Sequence, residues 1–179
     1  MKLVILDRDG TINEDSPDFI KSVAEWKPIP GSLEAIARLT HAGYRVFIAS
    51  NQSGIGRGLM DFDALFAIHD RLQRAVNELG GRIDGIAFAP EHPDEATEMR
   101  KPAPGMLKDL ARRLQVDLDQ VCFVGDSMSD VEAARAAGAK PVLVRSGNGR
   151  DTENKYRTEL GAVQIFDDLA AAATALIAS

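Results

Sequence analysis

The feature that most constrains this chain is a repeated change of hydrophobic period. Short, largely β-branched runs at Leu3–Leu6, Val46–Ala49, Ile86–Ala89, Val121–Val124 and Val142–Val144 alternate with segments whose apolar residues recur every three or four positions. A strand that is apolar at every position is buried on both faces, and such strands belong to parallel sheets crossed by helices. The expected fold is therefore α/β: a Rossmann-like parallel sheet flanked by helices on both faces, with right-handed crossovers. Residues 163–166 add a last short strand and 168–178 a closing helix.

Punctuation residues refine the elements. Ser32 is expected to cap a helix that stops at Gly43, and 61–79 reads as a long helix closed by Gly80-Gly81. Pro104 suits the first turn of the helix carrying Leu107, Leu110, Ala111 and Leu114. Ser129 and Glu132 fit a capping box, and Gly147-Asn148-Gly149 reads as a turn. No repeat or boundary interrupts the pattern, so residues 1–179 are expected to form one domain.

Composition narrows the function. With 179 residues, 45% of them hydrophobic, the chain has room for a proper core. Twenty-one basic against 27 acidic residues leave a net charge of −6, which disfavours a nucleic-acid partner. Phosphate would need a local device such as a metal, a lysine or oriented backbone N–H groups. Cys122 is the sole cysteine and is expected in the core, so an internal disulfide or a cysteine-rich metal site is excluded. No apolar run approaches the roughly 20 residues of a membrane span. A cytoplasmic protein with no membrane partner is expected.

In doubly wound sheets ligands bind beyond the carboxyl ends of the strands. Asp7 and Asp9 follow the first strand, Ser50 and Asn51 the second, and Gly125-Asp126 the fourth, with Asp130 just beyond. Lys101 lies in the loop after the third strand. Singly, each has an ordinary reading: a solvated turn, a cap, a loop cation, or a first-turn acid favoured by the helix dipole. Together they suit phosphoryl transfer to an aspartate. Asp7 and Asp126 would share a Mg2+ ion, and Asp7 would attack phosphorus. Asp9 would protonate the leaving alkoxide and then activate water, while Ser50 and Lys101 hold the transferring oxygens.

This order of motifs resembles the haloacid dehalogenase superfamily of phosphohydrolases. Asp7-Arg8-Asp9-Gly10-Thr11 is similar to its first motif, Ser50 to its second, Lys101 to its third, and Gly125-Asp126 with Asp130 to its fourth. The second aspartate places the likeness in the phosphatase branch. Longer strings, Ser50-Asn51-Gln52-Ser53-Gly54-Ile55-Gly56-Arg57-Gly58 and Arg100-Lys101-Pro102-Ala103-Pro104-Gly105-Met106, resemble the heptose-bisphosphate phosphatases, and histidinol-phosphate phosphatases share much of the pattern.

The resemblance implies a sugar-bisphosphate substrate on the route to the lipopolysaccharide core. It makes Asp7, Asp9, Ser50 and Lys101 catalytic, and assigns the metal to Asp7, Asp126 and the backbone carbonyl of Asp9. It gives Arg100 the substrate's second phosphate. Asn51, Gln52, Ser53, Asp15, Ser16, Pro17, Asp18 and Ser127 would line the sugar pocket. Many members hold a structural zinc before the Arg-Lys pair, but Ala89, Thr97 and Met99 stand here where the cysteines would be. No structural zinc is therefore expected. The spacing between motifs leaves no room for a cap domain, and a monomer is expected. Three other readings stay open: a histidinol-phosphate phosphatase, an uncapped phosphatase of larger substrates, and a receiver-like signalling domain. The last is opposed by the acid at Asp9.

Overall fold

A computed structural model of the chain describes residues 2–179. Six strands, β1 (Lys2–Leu6), β2 (Tyr44–Asn51), β3 (Gly85–Ala89), β4 (Cys122–Gly125), β5 (Lys140–Val144) and β6 (Gln164–Phe166), form one sheet of order β3-β2-β1-β4-β5-β6. Every pairing is parallel. Helices α1 (Ser32–His41), α2 (Phe62–Glu78), α3 (Gly105–Leu114), α4 (Met128–Ala137), α5 (Gly149–Lys155), α6 (Arg157–Leu160) and α7 (Leu169–Ala178) connect and flank the strands. The expected doubly wound architecture is present.

The two faces follow from the two-residue side-chain period of a strand. On β1, Val4 and Leu6 pack with Ile36, Leu39, Ile68, Leu72 and Leu169, from α1, α2 and α7. Leu3 and Ile5 point the other way, toward Met106 and Leu107 of α3 and Ala133 and Ala134 of α4. The chain runs outward from β1 through β2 to β3, then returns to lay β4 on the other side of β1. That reversal is the switch point where open α/β sheets bind ligands. Leu6 pairs with both Ile48 and Val124, so the residues just beyond these three emerge at one level. An irregular loop joins β1 to α1, and α2 alone is the helix between β2 and β3. Among the described residues no inserted cap covers the sheet edge.

Local expectations are corrected at five places. Gly31, in the left-handed region at φ 84°, is the N-cap of α1; Ser32 is instead buried and donates from Oγ to the Ile12 carbonyl at 2.6 Å. Pro104 sits at the N-cap of α3, one position before the first turn. The capping box of α4 is built from Ser127 and Asp130, not Ser129 and Glu132. Gly147 and Asn148 do lie in a turn, but Gly149 already opens α5, and α5 and α6 escaped the periodicity reading. Both are short, and their polar sequence carries no apolar stripe. Cys122 is only half-buried and borders a groove at the amino ends of the strands.

Candidate active site

The site grows from the turn after β1. Asp7 continues the sheet by donating its N–H to the Val124 carbonyl at 2.8 Å. The N–H groups of Ile12 and Asn13 fold back onto the Arg8 carbonyl, and the Gly10 N–H donates to the Asn13 carbonyl. The Asp9 carbonyl is left out of these turn bonds. Gly10 takes φ +81°, and a Cβ there would overlap the Asp126 carboxylate. Only glycine allows the turn and the metal-type carboxylate to come this close.

Lys101 joins the strand ends electrostatically. Lys101 is 3% exposed, and its ammonium has three partners: Asp130 Oδ1 at 2.6 Å, Asp7 Oδ1 at 2.9 Å and the Ala49 carbonyl at 2.9 Å. Although burial opposes its charge, Asp130 and Asp7 push its pKa up, so it stays cationic throughout the neutral range. Asn51 sets its position: the Asn51 side chain donates to the Lys101 carbonyl at 2.9 Å and accepts from the Lys101 N–H at 3.0 Å. This double contact occupies the amide that had been expected to face a sugar.

Asp7, Asp126 and Asp130 each offer a carboxylate oxygen within one 4.8 Å group, the one such group among the described residues. Burial raises Asp7 well above the ordinary carboxylate range; Asp130 and Asp126 add to this, and Lys101 opposes it. Asp126 is pushed up to about 7, first by burial and then by Asp130. Buried carboxylates crowded against one another are relieved by a hard cation, which prefers oxygen ligands. The three are not equivalent. Asp130 spends Oδ1 on Lys101 and Oδ2 on the Ser127 N–H and hydroxyl, at 3.0 and 2.8 Å. Both bonds accepted by Asp7, from Lys101 Nζ and the Arg8 N–H, fall on Oδ1, and those accepted by the Asp126 carboxylate fall on Oδ2. Asp7 and Asp126 thus each keep an oxygen for a metal, and the donor set fits a divalent cation.

Asp9 is held from several sides. Its Oδ1 accepts from Arg8 Nε at 2.8 Å and Asn13 Nδ2 at 2.9 Å, and Oδ2 accepts from Gln52 Nε2 at 3.0 Å. Gln52 Nε2 also donates to Ser50 Oγ at 2.8 Å, which ties the second motif to the first. Ser53, the next residue, is also buried.

The remaining expected residues are more dispersed. Asp15, Ser16 and Pro17 line a pocket of about 220 Å³ with Gly147 and Asn148, whereas Asp18 is exposed and lies outside that lining. The Ser127 hydroxyl is spent on capping α4. Arg100 is half-buried, and its NH1 is a buried donor without a partner. The loop before it is braced by Glu91, whose Oε1 accepts from Thr97 Oγ1 at 2.6 Å and the Thr97 N–H at 3.2 Å.

One contributor lies outside the expected set. Asn148 donates its backbone N–H to Asp126 Oδ2 at 2.8 Å, and its Nδ2 reaches Asp15 Oδ2 at 2.8 Å and Asp126 Oδ2 at 3.3 Å. It bridges the fourth-strand carboxylate to the 15–17 loop. Its signal was available: residues 145–148 follow the fifth strand onto the same sheet edge.

Comparisons with known proteins agree with this geometry. The HAD-hydrolase-like family model matches residues 98–172. The D-glycero-β-D-manno-heptose-1,7-bisphosphate 7-phosphatase of Pseudomonas putida is 52% identical over 99% of this chain and 100% of its own length. That of Bordetella bronchiseptica is 51% identical over 99% of this chain and 98% of its own. A crystal structure of the D,D-heptose 1,7-bisphosphate phosphatase from B. bronchiseptica, complexed with magnesium and phosphate, superposes with a TM-score of 0.95 at 49% identity, covering 99% of each chain. The chain belongs to the heptose-bisphosphate phosphatase family of the HAD-like hydrolases.

Proposed function

We propose that this chain removes the 7-phosphate of D-glycero-D-manno-heptose 1,7-bisphosphate, through a phosphoaspartate on Asp7 and with Mg2+ as cofactor. The observation that carries the substrate is the near end-to-end identity with relatives of that name. The chemistry is supported by the buried Asp7–Lys101–Asp126 cluster.

A carboxylate oxygen of Asp7, whose side chain is anchored by Lys101 and the Arg8 N–H, attacks phosphorus. The bond from phosphorus to the sugar oxygen breaks, and that oxygen keeps the electron pair and takes the proton of Asp9. In the second half, Asp9 accepts a proton from water as the water oxygen attacks phosphorus. The bond to Asp7 then breaks and phosphate leaves. Lys101 and Ser50 neutralise and orient the transferring oxygens, Lys101 exchanging a protein acceptor for a phosphate oxygen. A bound Mg2+, held by Asp7, Asp126 and the Asp9 carbonyl, would supply charge neutralisation between nucleophile and phosphate.

Arg100 binds the 1-phosphate, since a guanidinium with an unpaired buried NH1 is a ready anion partner. Asp15, Ser16 and Pro17 form the sugar wall with Asn148, and the buried Gln52 and Ser53 complete the substrate contacts. We read the enzyme as a cytoplasmic monomer that supplies the lipopolysaccharide core, with no nucleic-acid or membrane partner. No helix among the described residues is long and apolar enough to cross a membrane.

The deciding experiment is phosphate release by purified protein with Mg2+. Heptose bisphosphate should be hydrolysed far faster than histidinol phosphate. Equal or reversed rates transfer the assignment to a histidinol-phosphate phosphatase.

A further inference from the structure

Arg8 is fully buried between the two aspartates of the first motif, an expensive position for a charge unless it is paired. Its Nε and NH2 lie 2.8 and 2.7 Å from Asp9 Oδ1, and NH2 also reaches Gln52 Oε1 at 3.4 Å. The remaining arm, NH1, lies 3.3 Å from Nε2 of His69, a residue of α2 that is itself 6% exposed. A guanidinium has donors only, so His69 Nε2 must present a lone pair and the ring must be the neutral Nδ1–H tautomer. Electrostatics agree: burial first, then the Arg8 charge, lower His69 to about 4, with Asp9 opposing. The Phe88 ring of β3 lies against His69 with ring centroids 5.9 Å apart.

Asp9 is therefore held unevenly. Oδ1 faces two nitrogens of Arg8 and one of Asn13, whereas Oδ2 faces Gln52 Nε2 alone. We propose that Arg8 and His69 are positioning residues for proton transfer: His69, as a neutral acceptor, orients the Arg8 fork onto Asp9 Oδ1 and leaves Oδ2 as the oxygen that carries the proton. This rests on the reading of Asp9 as the acid of the phosphatase reaction. The need for such a clamp is geometric, since a proton donor displaced by about 1 Å loses roughly 10²-fold in rate.

The test compares two leaving groups by kcat/KM, which reports only the steps up to departure of the alcohol. A sugar alkoxide must be protonated as it leaves; p-nitrophenolate is stable without a proton and bypasses Asp9. His69→Leu is expected to lower kcat/KM for heptose bisphosphate by about 10- to 100-fold and for p-nitrophenyl phosphate by less than about 3-fold. His69→Gln, whose amide oxygen can accept from NH1, should recover most of the difference. Arg8→Lys keeps the charge but loses the fork, and should show the same selective loss even if His69→Leu fails to fold. Equal losses on both substrates, no loss on either, or a Gln variant no better than Leu would overturn the inference. Asp9→Asn in the same assay separates the levels. If Asp9→Asn is selective and His69→Leu and Arg8→Lys are not, the clamp is wrong and the phosphatase reading stands; if Asp9→Asn is itself unselective, both fall.

Discussion

The two ends of the sheet differ in the opposite sense from what their shapes suggest. The larger concavity, about 890 Å³, lies at the amino ends of the strands, between Leu3, Tyr44, Cys122, Lys140 and Gln164. At the carboxyl ends a smaller pocket, about 220 Å³, lies at Asp15 and Asn148. Yet the charge is buried at the carboxyl end, where Asp7, Lys101, Asp126 and Asp130 are each no more than 8% exposed. At the amino end the polar groups are satisfied locally: the Tyr44 hydroxyl donates to the Leu176 carbonyl at 2.7 Å and Lys140 Nζ to Gln120 Oε1 at 2.6 Å. Buried charge is costly and persists where it is paired, metal-bound or used. Here that cost, rather than cavity volume, separates a working end from a merely concave one.

The sharpest way to break this contrast is Asp7→Asn. It removes the attacking oxyanion and one carboxylate of the metal group with little change of volume, so phosphate release should fall by at least about 10³-fold. A variant that kept a tenth of wild-type turnover would end the covalent route.

The stored electrostatic cost should also appear as stability. Asp126 has a folded-state pKa of about 7 against an ordinary value of 3.8, and Asp7 is raised too. Between those values the folded chain holds protons that the unfolded chain has lost, so stability falls as pH rises through the window. Lys101 remains charged throughout and adds no slope, whereas His69, lowered to about 4, adds a slope of the opposite sign between about pH 4 and 6.5 that Asp126→Asn leaves in place. A divalent cation binds the ionised carboxylates, so its benefit should grow over the same range. For metal-stripped protein, Tm relative to that of Asp126→Asn should drop by roughly 5 °C from about pH 5 to about pH 7.5, and millimolar Mg2+ should restore most of it at the higher pH. Asp126→Asn should also shrink the Mg2+ response. A Tm difference that rose with pH and ignored Mg2+ would contradict a strained carboxylate cluster at this end.

The unequal legibility of the sequence has the same physical basis. Strands buried on both faces leave an unbroken apolar run, and the residue after such a run must sit on the carboxyl edge; Asp7, Ser50 and Asp126 were readable for that reason. Long helices such as α2 were legible from their stripe, whereas α5 and α6 bury too few apolar residues to leave one. What a side chain does with its hydrogen bonds was not legible. Asn51 braces Lys101 and Asn148 bridges Asp126 to Asp15 through contacts between distant stretches of chain, and Ser127 spends its hydroxyl locally on the cap of α4. A fully buried Arg8 was hidden because arginine in a loop ordinarily reads as solvated.

A smaller effect is expected at the rim of the carboxyl end. Arg100→Ala removes a half-buried cation that pairs with none of the catalytic carboxylates. It should raise KM for the bisphosphate by about 10-fold, one charge-assisted contact being worth roughly 1.5–3 kcal/mol, and leave kcat for small monophosphates within about 2-fold. Equal damage to both substrate types would mean that Arg100 shapes the Lys101 loop instead of binding the second phosphate.

The smallest effect should come from the larger groove, where it matters most to the comparison. Tyr44→Phe deletes one hydroxyl that joins β2 to the end of α7, and keeps the ring that packs against the core. The lost bond is neutral and only partly buried, so the expected cost is about 1 kcal/mol, a Tm shift of roughly 2–4 °C for a chain of this size. Turnover of heptose bisphosphate should not change, because no residue lining that groove belongs to the carboxyl-end cluster. If Tyr44→Phe instead altered kcat by tenfold at unchanged Tm, the two ends would be coupled through β1 and β2, and volume would regain a functional meaning that its local hydrogen bonds deny it.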